Sequence, residues 1–305
     1  MRVLITGAGG FVGKHLAKEL RTHGHTPFGF DRCGAGDDCA EFVYGDLLSG
    51  GELESLITTA EPQACVHLAG AASVPRSWED PAATFETNVG GTLRLLNLLA
   101  RHQPRARILA VSSAEIYGSG RTGPLTEDAL PDPANPYALS KAAADRMALL
   151  LADRQGLDVM VVRPENHIGP GQSEDFVTMA FARQVARLAA GKQETLRTGN
   201  LDSRRAFCDV RDVASAYRLL LYKGRSGQAY NLSAAPPFPV RELLDGLCAL
   251  AGIAPRIETD PQRYRPTDSR PALDSRRLQE HTGWRPRYQL EDTLRTVWQS
   301  VNPLE

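Results

Sequence analysis

The sequence has no long apolar run, no excess of charge of one sign and few cysteines. The opening Val3-Leu4-Ile5 is too short for the core of a secretion signal, and no run approaches the ~20 apolar residues needed to cross a bilayer. A net charge of −1 gives no general attraction to nucleic acid or to an anionic membrane. The 5 cysteines lack a C-x-x-C pair and the 7 histidines lack metal-ligand spacing, so neither disulfides nor a metal site is expected. These absences predict a cytoplasmic protein without nucleic-acid, membrane or metal partners.

What the sequence contains is typical of a folded α/β protein with a phosphate-binding turn. Its 305 residues, 23% charged and 42% hydrophobic, suit about two globular domains. Residues 2–6 are typical of a buried strand, and a helical pattern follows over about 11–22. Glycines between them have a G-x-x-G-x-x-G spacing, which lets backbone N–H groups at the helix start reach a pyrophosphate. The dinucleotide contacts predicted from this turn are Gly7, Gly10, Phe11, Val12 and Gly13.

Polar residues follow the next two predicted strands. Asp31 comes some twenty residues beyond the glycines, where a carboxylate accepts both ribose hydroxyls of NAD and repels a 2′-phosphate. Arg32 at the same edge can hold that phosphate instead. NAD(H) is therefore slightly favoured, and NADP(H) is expected to be tolerated. Asp46 and Leu47 follow a third short strand and are expected near the adenine.

Side chains able to move a proton follow later strands. Ser113 and Glu115 come after a predicted strand over 108–112. Tyr137 and Lys141 are spaced i, i+4, so they share one face of a predicted helix over 137–155. A tyrosine titrates near pH ~10 in water, and a lysine cation one turn away is expected to lower that pKa by stabilising the phenolate. Ser113, Glu115 and Tyr137 are therefore predicted to meet at one crevice.

The order of the predicted elements indicates a Rossmann-type, doubly wound parallel sheet with a smaller C-terminal α/β substrate domain. A sixth strand over 159–163 completes the β-α count of such a sheet. The predicted dinucleotide-binding domain is 1–165, rejoined by about 207–232, and the predicted substrate domain is 166–206 with 233–305.

Two predicted helices, over 81–102 and 137–155, have more apolar residues than one buried face needs. This excess favours a helix-packed homodimer. Deeper burial within one chain explains it equally well.

The sequence resembles the extended short-chain dehydrogenase/reductase family over essentially its whole length. The marks of that family are the turn from Gly7 to Gly13, His67-Leu-Ala69, Asn88, Ser113, Tyr137 with Lys141, and Arg163-Pro164. Its GDP-sugar branch is indicated by Asn166-His-Ile-Gly-Pro-Gly-Gln172, Phe176-Val-Thr, Gly199-Asn-Leu-Asp, Asp209-Val-Arg-Asp212, Arg265-Pro-Thr and Gly283-Trp-Arg-Pro286. Two positions depart from that branch: Glu165 stands where the relatives usually carry an apolar residue, and Ala206 stands where they carry an acid.

The resemblance implies a division of labour among these residues. Tyr137 exchanges the proton on the sugar O4, Ser113 hydrogen-bonds the same oxygen, and Lys141 holds the nicotinamide ribose. Further cofactor contacts are implied for Leu68, Ala69, Pro164 and His167. Substrate contacts are implied for Ser73, Asn88, Glu115, Asn166, Val177, Arg205, Arg265 and Asp268, of which Asn166, Arg205 and Arg265 face the nucleotide diphosphate.

The function implied is that of an NAD(P)-dependent oxidoreductase on a nucleotide-sugar, with GDP favoured as the nucleotide. The first hypothesis is 4-keto reduction of GDP-4-keto-6-deoxymannose. The alternative is a 4,6-dehydratase, in which Glu115 removes the C5 proton, and a second alternative is a 4-epimerase. A catalytically silent nucleotide sensor is disfavoured because Ser113, Tyr137 and Lys141 are all intact.

Overall fold

A computed structural model of the chain describes residues 1–49, 51–121, 123–261, 264 and 269–302. Its centre is a sheet of parallel strands, which in the described residues has seven members in the order β3-β2-β1-β4-β5-β6-β11. The strands are β1 (Arg2–Thr6), β2 (Thr26–Asp31), β3 (Glu41–Tyr44), β4 (Ala64–His67), β5 (Arg107–Val111), β6 (Val159–Pro164), β7 (Asn166–Ile168), β8 (Thr195–Thr198), β9 (Arg204–Arg205), β10 (Phe207–Asp209), β11 (Ala229–Leu232), β12 (Phe238–Pro239) and β13 (Arg256–Thr259).

Helices cover both faces of this sheet. They are α1 (Phe11–Thr22), α2 (Gly51–Ala60), α3 (Val74–Glu79), α4 (Pro81–Phe85), α5 (Gly91–His102), α6 (Pro136–Gln155), α7 (Val177–Ala189), α8 (Val210–Lys223), α9 (Arg241–Ala251), α10 (Arg276–Thr282) and α11 (Leu290–Val301). Because neighbouring side chains of a strand point to opposite faces, Val3 and Ile5 of β1 pack against α1 and α8, whereas Leu4 packs against the layer of α2, α5 and α6. The prediction of a Rossmann-type α/β fold is confirmed.

The strand order reverses at β1, which pairs with β2 on one side and β4 on the other. In open α/β sheets such a point leaves a crevice beyond the carboxyl ends of the strands, where ligands bind. Gly7 follows β1 and Leu68 follows β4, so the predicted phosphate turn lies at this crevice.

The later part of the chain adds a second, smaller apolar cluster. Its helices α7, α9 and α11 pack together, and β8 pairs in parallel with β13. The segment 207–232 supplies α8 and β11 to the central sheet layer, and α10 packs against both of them. The domain boundaries given above stay a prediction.

The helix predicted over 81–102 is interrupted. A π-helical segment, Glu86–Gly90, separates α4 from α5. A π turn holds one more residue than an α turn, and this one places Asn88 in the protein interior.

Within the part of the chain that the structure describes, no helix combines the length and the apolar character needed to cross a membrane.

Candidate active site

The glycine turn between β1 and α1 has the geometry of a pyrophosphate cradle. Gly7 has φ +77°, and a Cβ there would lie 2.7 Å from the backbone nitrogen of Ala69. A Cβ at Gly13 would lie 2.2 Å from the carbonyl oxygen of Gly7. Gly10 caps α1 and has no side chain to bond the N–H groups of the first turn, which also lacks an acidic residue. The start of α1 therefore presents its N–H groups and the positive end of its dipole to an anion.

The residues predicted to contact the cofactor ribose, Asp31 and Arg32, lie beside this turn. The Asp31 carboxylate accepts hydrogen bonds from the backbone N–H of Gly9, at 3.0 Å, and of Arg32, at 2.7 Å. The exposed Arg32 guanidinium lies 3.7 Å from Asp46. Both the carboxylate that suits a ribose diol and the guanidinium that suits a 2′-phosphate are thus present at one edge.

Leu47 has a different environment from the one expected. Its side chain is buried in the apolar layer between the sheet and α5. The leucine side chain therefore packs in the core, and its predicted position near an adenine stays a prediction.

The end of β4 runs close to the glycine turn. Leu68 and Ala69 donate their N–H groups to the carbonyl and the hydroxyl oxygen of Thr6, at 3.0 and 3.4 Å. His67 bonds the hydroxyls of Thr6 and Thr92, at 2.7 and 3.0 Å, and burial lowers its pKa to about 3. A neutral imidazole therefore joins β1, β4 and α5 under the cofactor site.

Asn88 holds the loop after β4 against α6. Its amide nitrogen donates to the carbonyl oxygen of Ala71, at 3.1 Å, and to the hydroxyl of Ser140, at 2.8 Å, and its amide oxygen accepts from the N–H of Ala71. The side chain is buried. These bonds give Asn88 a positioning role, and its predicted contact with substrate stays a prediction. Ser73, in the same loop, caps α3 by accepting from the N–H of Arg76.

The start of α6 places Tyr137 over the crevice. Asn135 accepts from the N–H of Ala138 at 2.8 Å, and Pro136 at the first helical position has no N–H that needs a partner. Tyr137 therefore lies in the first turn, where it is partly exposed, and Lys141 follows one turn later on the same face.

The pKa of Tyr137 runs opposite to the sequence-based expectation. Burial raises it to about 12, the negative charge of Glu115 adds to that rise, and the hydrogen bond with Ser113 opposes it. The Lys141 ammonium donates instead to the carbonyl oxygen of Val111, at the end of β5. The prediction that Lys141 lowers the pKa of the phenol is therefore wrong for this arrangement, because desolvation outweighs the other influences.

The pKa of Lys141 is also shifted from its ordinary value. Burial lowers its pKa to about 8, and the negative charge of Asp145 opposes this fall. Asp145 lies one further turn along α6 and accepts two bonds from the Arg163 guanidinium, at 2.8 and 3.0 Å. Arg163 stands near the end of β6, so this buried pair fixes the lysine-bearing face of α6 to the sheet.

Glu115 lies in a short 3-10 segment, Ala114–Tyr117, that Ser113 caps. Its carboxylate accepts from the Arg270 guanidinium at 2.7 Å and from the Asn135 amide at 3.5 Å. The electrostatic effect of Glu115 on Tyr137 and the bond of Tyr137 with Ser113 show that the three predicted groups meet.

The segment after β6 carries several predicted contacts. Pro164 is the last residue of β6, and Glu165, which follows, is buried. The Asn166 amide donates to the carbonyl oxygen of Ala206 at 3.1 Å. Burial lowers the pKa of His167 to about 4, so its imidazole is neutral.

Two of the four remaining predicted substrate contacts lie in the part of the chain that the structure describes. Val177 is the first residue of α7. Arg205 belongs to β9, which pairs with β12, and its charge acts on Glu165. The predicted contacts Arg265 and Asp268 lie outside the described residues.

Arg270 and Asn135 are site residues that the sequence prediction missed. Arg270 reaches Glu115 from 155 positions along the chain, and nothing local distinguishes it from other arginines. Asn135-Pro136 is a typical helix start, which would have placed Tyr137 in the first turn.

Comparison with known proteins gives consistent results. The family model of GDP-mannose 4,6 dehydratase matches residues 4–297. The GDP-6-deoxy-D-mannose reductase of Pseudomonas aeruginosa is 39% identical, over 98% of this chain and 97% of that protein. The structure of RMD from Pseudomonas aeruginosa complexed with NADPH has a TM-score of 0.88 at 37% identity and covers 98% of both chains. The UDP-glucose 4-epimerase of Thermus thermophilus, in complex with NAD, has a TM-score of 0.88 at 30% identity and covers 99% of both.

These matches span nearly the whole chain and agree with the site described above. The chain therefore belongs to the GDP-mannose 4,6 dehydratase family, which confirms the resemblance to the extended short-chain dehydrogenase/reductases.

Proposed function

We propose that the protein is an NAD(P)H-dependent reductase of a nucleotide-linked 4-keto-6-deoxyhexose, with GDP-4-keto-6-deoxymannose as its substrate. The observation that carries the proposal is that Tyr137, in the first turn of α6, interacts with Ser113 and Glu115, with Glu115 held by Arg270. Reductase, epimerase and dehydratase relatives share this fold. The protonated phenol of Tyr137 and the pairing of Glu115 with Arg270 favour the reductase among them.

A reductase needs a proton donor at the sugar oxygen. Since burial raises the pKa of Tyr137 to about 12, its phenol is protonated at neutral pH. NAD(P)H, when bound, supplies the hydride that reaches C4. Tyr137 gives its proton to O4, Ser113 hydrogen-bonds the same oxygen, and the first turn of α6 stabilises the phenolate that remains. An oxidation of C4, the first step of a dehydratase or an epimerase, requires the opposite charge state of Tyr137.

A dehydratase also needs a base for the C5 proton. Glu115 accepts a charge-assisted hydrogen bond from Arg270 at 2.7 Å, so one oxygen of the carboxylate is already engaged by a guanidinium. This pairing favours an orienting role for Glu115. The residues beside the glycine turn fit either cofactor. Asp31 suits the ribose diol of NAD(H), and Arg32 suits the 2′-phosphate of NADP(H).

The test is incubation of the purified protein with GDP-4-keto-6-deoxymannose and NADPH or NADH. We expect one reduced cofactor to be consumed for each 6-deoxyhexose formed, followed by absorbance and by product mass. Formation of a 4-keto product from GDP-mannose without added reductant would establish the dehydratase instead. Interconversion of two 4-hydroxy sugars without net cofactor use would establish the epimerase.

Glu115→Gln separates the first two functions further. The amide keeps the shape of the side chain but cannot take a proton, so we expect a fall of less than about tenfold in a reductase. Loss of a general base costs typically ~10²–10⁴-fold, and a fall of that size would favour a dehydratase.

We also propose a homodimer that buries the exposed face of α6. Leu139 and Leu150 are exposed on this helix. They are eleven residues apart and so lie on one face. We expect Leu150→Glu to lower the mass measured by analytical ultracentrifugation from dimer to monomer; a wild-type monomer would contradict the proposal.

A further inference from the structure

Glu165 is a buried carboxyl group to which the proposed reaction gives no task. It follows the last residue of β6, and its backbone N–H donates to the carbonyl oxygen of Leu232 at 2.9 Å. The side chain is 5% exposed. Its Oε1 is enclosed and has no hydrogen-bond partner among the residues that the structure describes. Buried polar atoms are normally satisfied, and one that is not, at a candidate site, points to a ligand.

The charged groups around Glu165 are those of the substrate site. Glu115, Arg270 and Arg205 act on it electrostatically from three separate segments of the chain. Glu165 in turn acts on the thiol of Cys208 in β10. Glu115 acts electrostatically on Tyr137 as well, so Glu165 belongs to the same group of charged residues as the proposed proton donor.

These neighbours decide the protonation state of Glu165. Burial is the largest influence, the negative charge of Glu115 acts in the same direction, and Arg270 and Arg205 oppose both; together they raise the pKa of Glu165 to about 8. A carboxyl group that is protonated at neutral pH carries one O–H donor, which an ionised carboxylate lacks. The site therefore contains a buried donor on which Glu115 acts electrostatically.

We propose that Glu165 is a specificity-determining residue, whose enclosed and unpartnered carboxyl group donates a hydrogen bond to a hydroxyl oxygen of the sugar ring. This rests on the proposed function, because a nucleotide-sugar must lie across Tyr137 and Glu115 for its ring to reach Glu165. A site that hydrogen-bonds a substrate hydroxyl rejects analogues that lack it, since its own polar group is then left unpaired. Ionisation removes the donor and places a second negative charge beside Glu115.

The test compares binding of GDP-mannose with binding of GDP, which has no sugar, by calorimetry from pH 6.5 to 9.5 with NADPH present. For the wild type we expect the affinity for GDP-mannose, relative to GDP, to fall about tenfold between pH 7 and 9, in proportion to the neutral fraction of Glu165. Glu165→Gln keeps a neutral donor. Its affinity for GDP-mannose relative to GDP should therefore stay within about threefold of the wild-type value at pH 7, and it should not fall between pH 7 and 9.

Glu165→Leu removes the donor and should weaken GDP-mannose roughly tenfold at pH 7, the loss expected for one hydrogen bond, while GDP binding is unchanged. Glu127→Gln is the matched control, because Glu127 is also a buried carboxyl with a raised pKa but bonds the N–H of Asn231. It should behave as the wild type does.

An alkaline fall in Glu165→Gln equal to that of the wild type would overturn the inference, and so would unchanged sugar affinity in Glu165→Leu. Thermal unfolding of each variant establishes that it is folded before binding is measured. The keto-sugar assay keeps the two proposals apart. If the wild type consumes no NAD(P)H, the proposed function fails. If it does, and the affinity for GDP-mannose relative to GDP changes neither with pH nor in the Glu165 variants, only the role of Glu165 fails.

Discussion

Arg163→Met should destabilise the protein more than any exposed substitution. Its guanidinium donates to both carboxylate oxygens of Asp145, to the Tyr117 hydroxyl and to the carbonyl oxygen of Glu127, all at 2.8–3.0 Å. Arg163 and Asp145 are almost fully buried. Removing the arginine leaves an uncompensated buried carboxylate, which costs about 3–5 kcal/mol.

This loss is a large part of the ~5–15 kcal/mol that ordinarily holds a domain folded. At about 2–3 °C for each kcal/mol in a chain of this size, we expect the Tm to fall by roughly 6–15 °C. Urea unfolding, followed by circular dichroism at pH 7, measures the free-energy difference directly. The matched control is Arg101→Met, which removes an exposed ion pair with Glu54 at 3.6 Å and should cost less than about 1 kcal/mol.

The double variant Arg163→Met/Asp145→Leu completes the experiment. Replacing both members of a buried pair by apolar residues is often neutral or stabilising, so most of the lost stability should return. The double variant also removes the charge that supports the Lys141 ammonium, so the pKa of Lys141 should fall below about 8 and the alkaline limit of kcat should move to lower pH. The reasoning is refuted if the free energy of unfolding of Arg163→Met lies within about 1 kcal/mol of the wild-type value, the range expected for an exposed pair.

Tyr137→Phe removes the proton donor and should lower kcat by at least ~10²-fold, while NADPH binding, measured by fluorescence titration, stays within about threefold; normal turnover would remove the phenol from the mechanism. Glu165 has an ordinary pKa of 4.5 and a native pKa of about 8, so between these values the folded state binds more protons and wild-type stability falls as pH rises. Glu165→Gln lacks this loss, so its stability relative to the wild type should rise by about 4 kcal/mol between pH 5 and 9; an unchanged difference between the two urea-unfolding curves at the two pH values would contradict it. Arg32→Ala should raise the KM for NADPH roughly tenfold and leave that for NADH unchanged, as steady-state kinetics with both cofactors would show; equal effects would mean that Arg32 does not recognise the 2′-phosphate.

Local patterns were sufficient to predict the nucleotide half of the fold. The β1 strand, the glycine turn and α1 are encoded within about twenty neighbouring residues, and the structure places them where predicted. The Tyr137 and Lys141 pair was equally accessible, since helix periodicity alone puts both on one face.

Three properties of the site could not be predicted from the sequence, because they depend on residues that come together only in the folded chain. The direction of the Tyr137 pKa shift follows from burial, which no spacing reveals. The partner of Glu115 is Arg270, brought near by the second half of the chain. Asn88 looks like a ligand-binding amide in sequence, and only its bonds to Ala71 and Ser140 show that its polar atoms are already used.

The π-helical segment Glu86–Gly90 makes this stretch sensitive to the number of its residues. A π turn holds one residue more than an α turn, so deletion of a single residue here would let the segment close into regular α-helix, with α4 and α5 keeping the faces that they turn to their neighbours. The group that would move is the Asn88 amide, which would lose its bonds to Ala71 and Ser140. The number of residues in this segment is therefore fixed by the structure, and chimaeras made between relatives should place their junctions outside Glu86–Gly90.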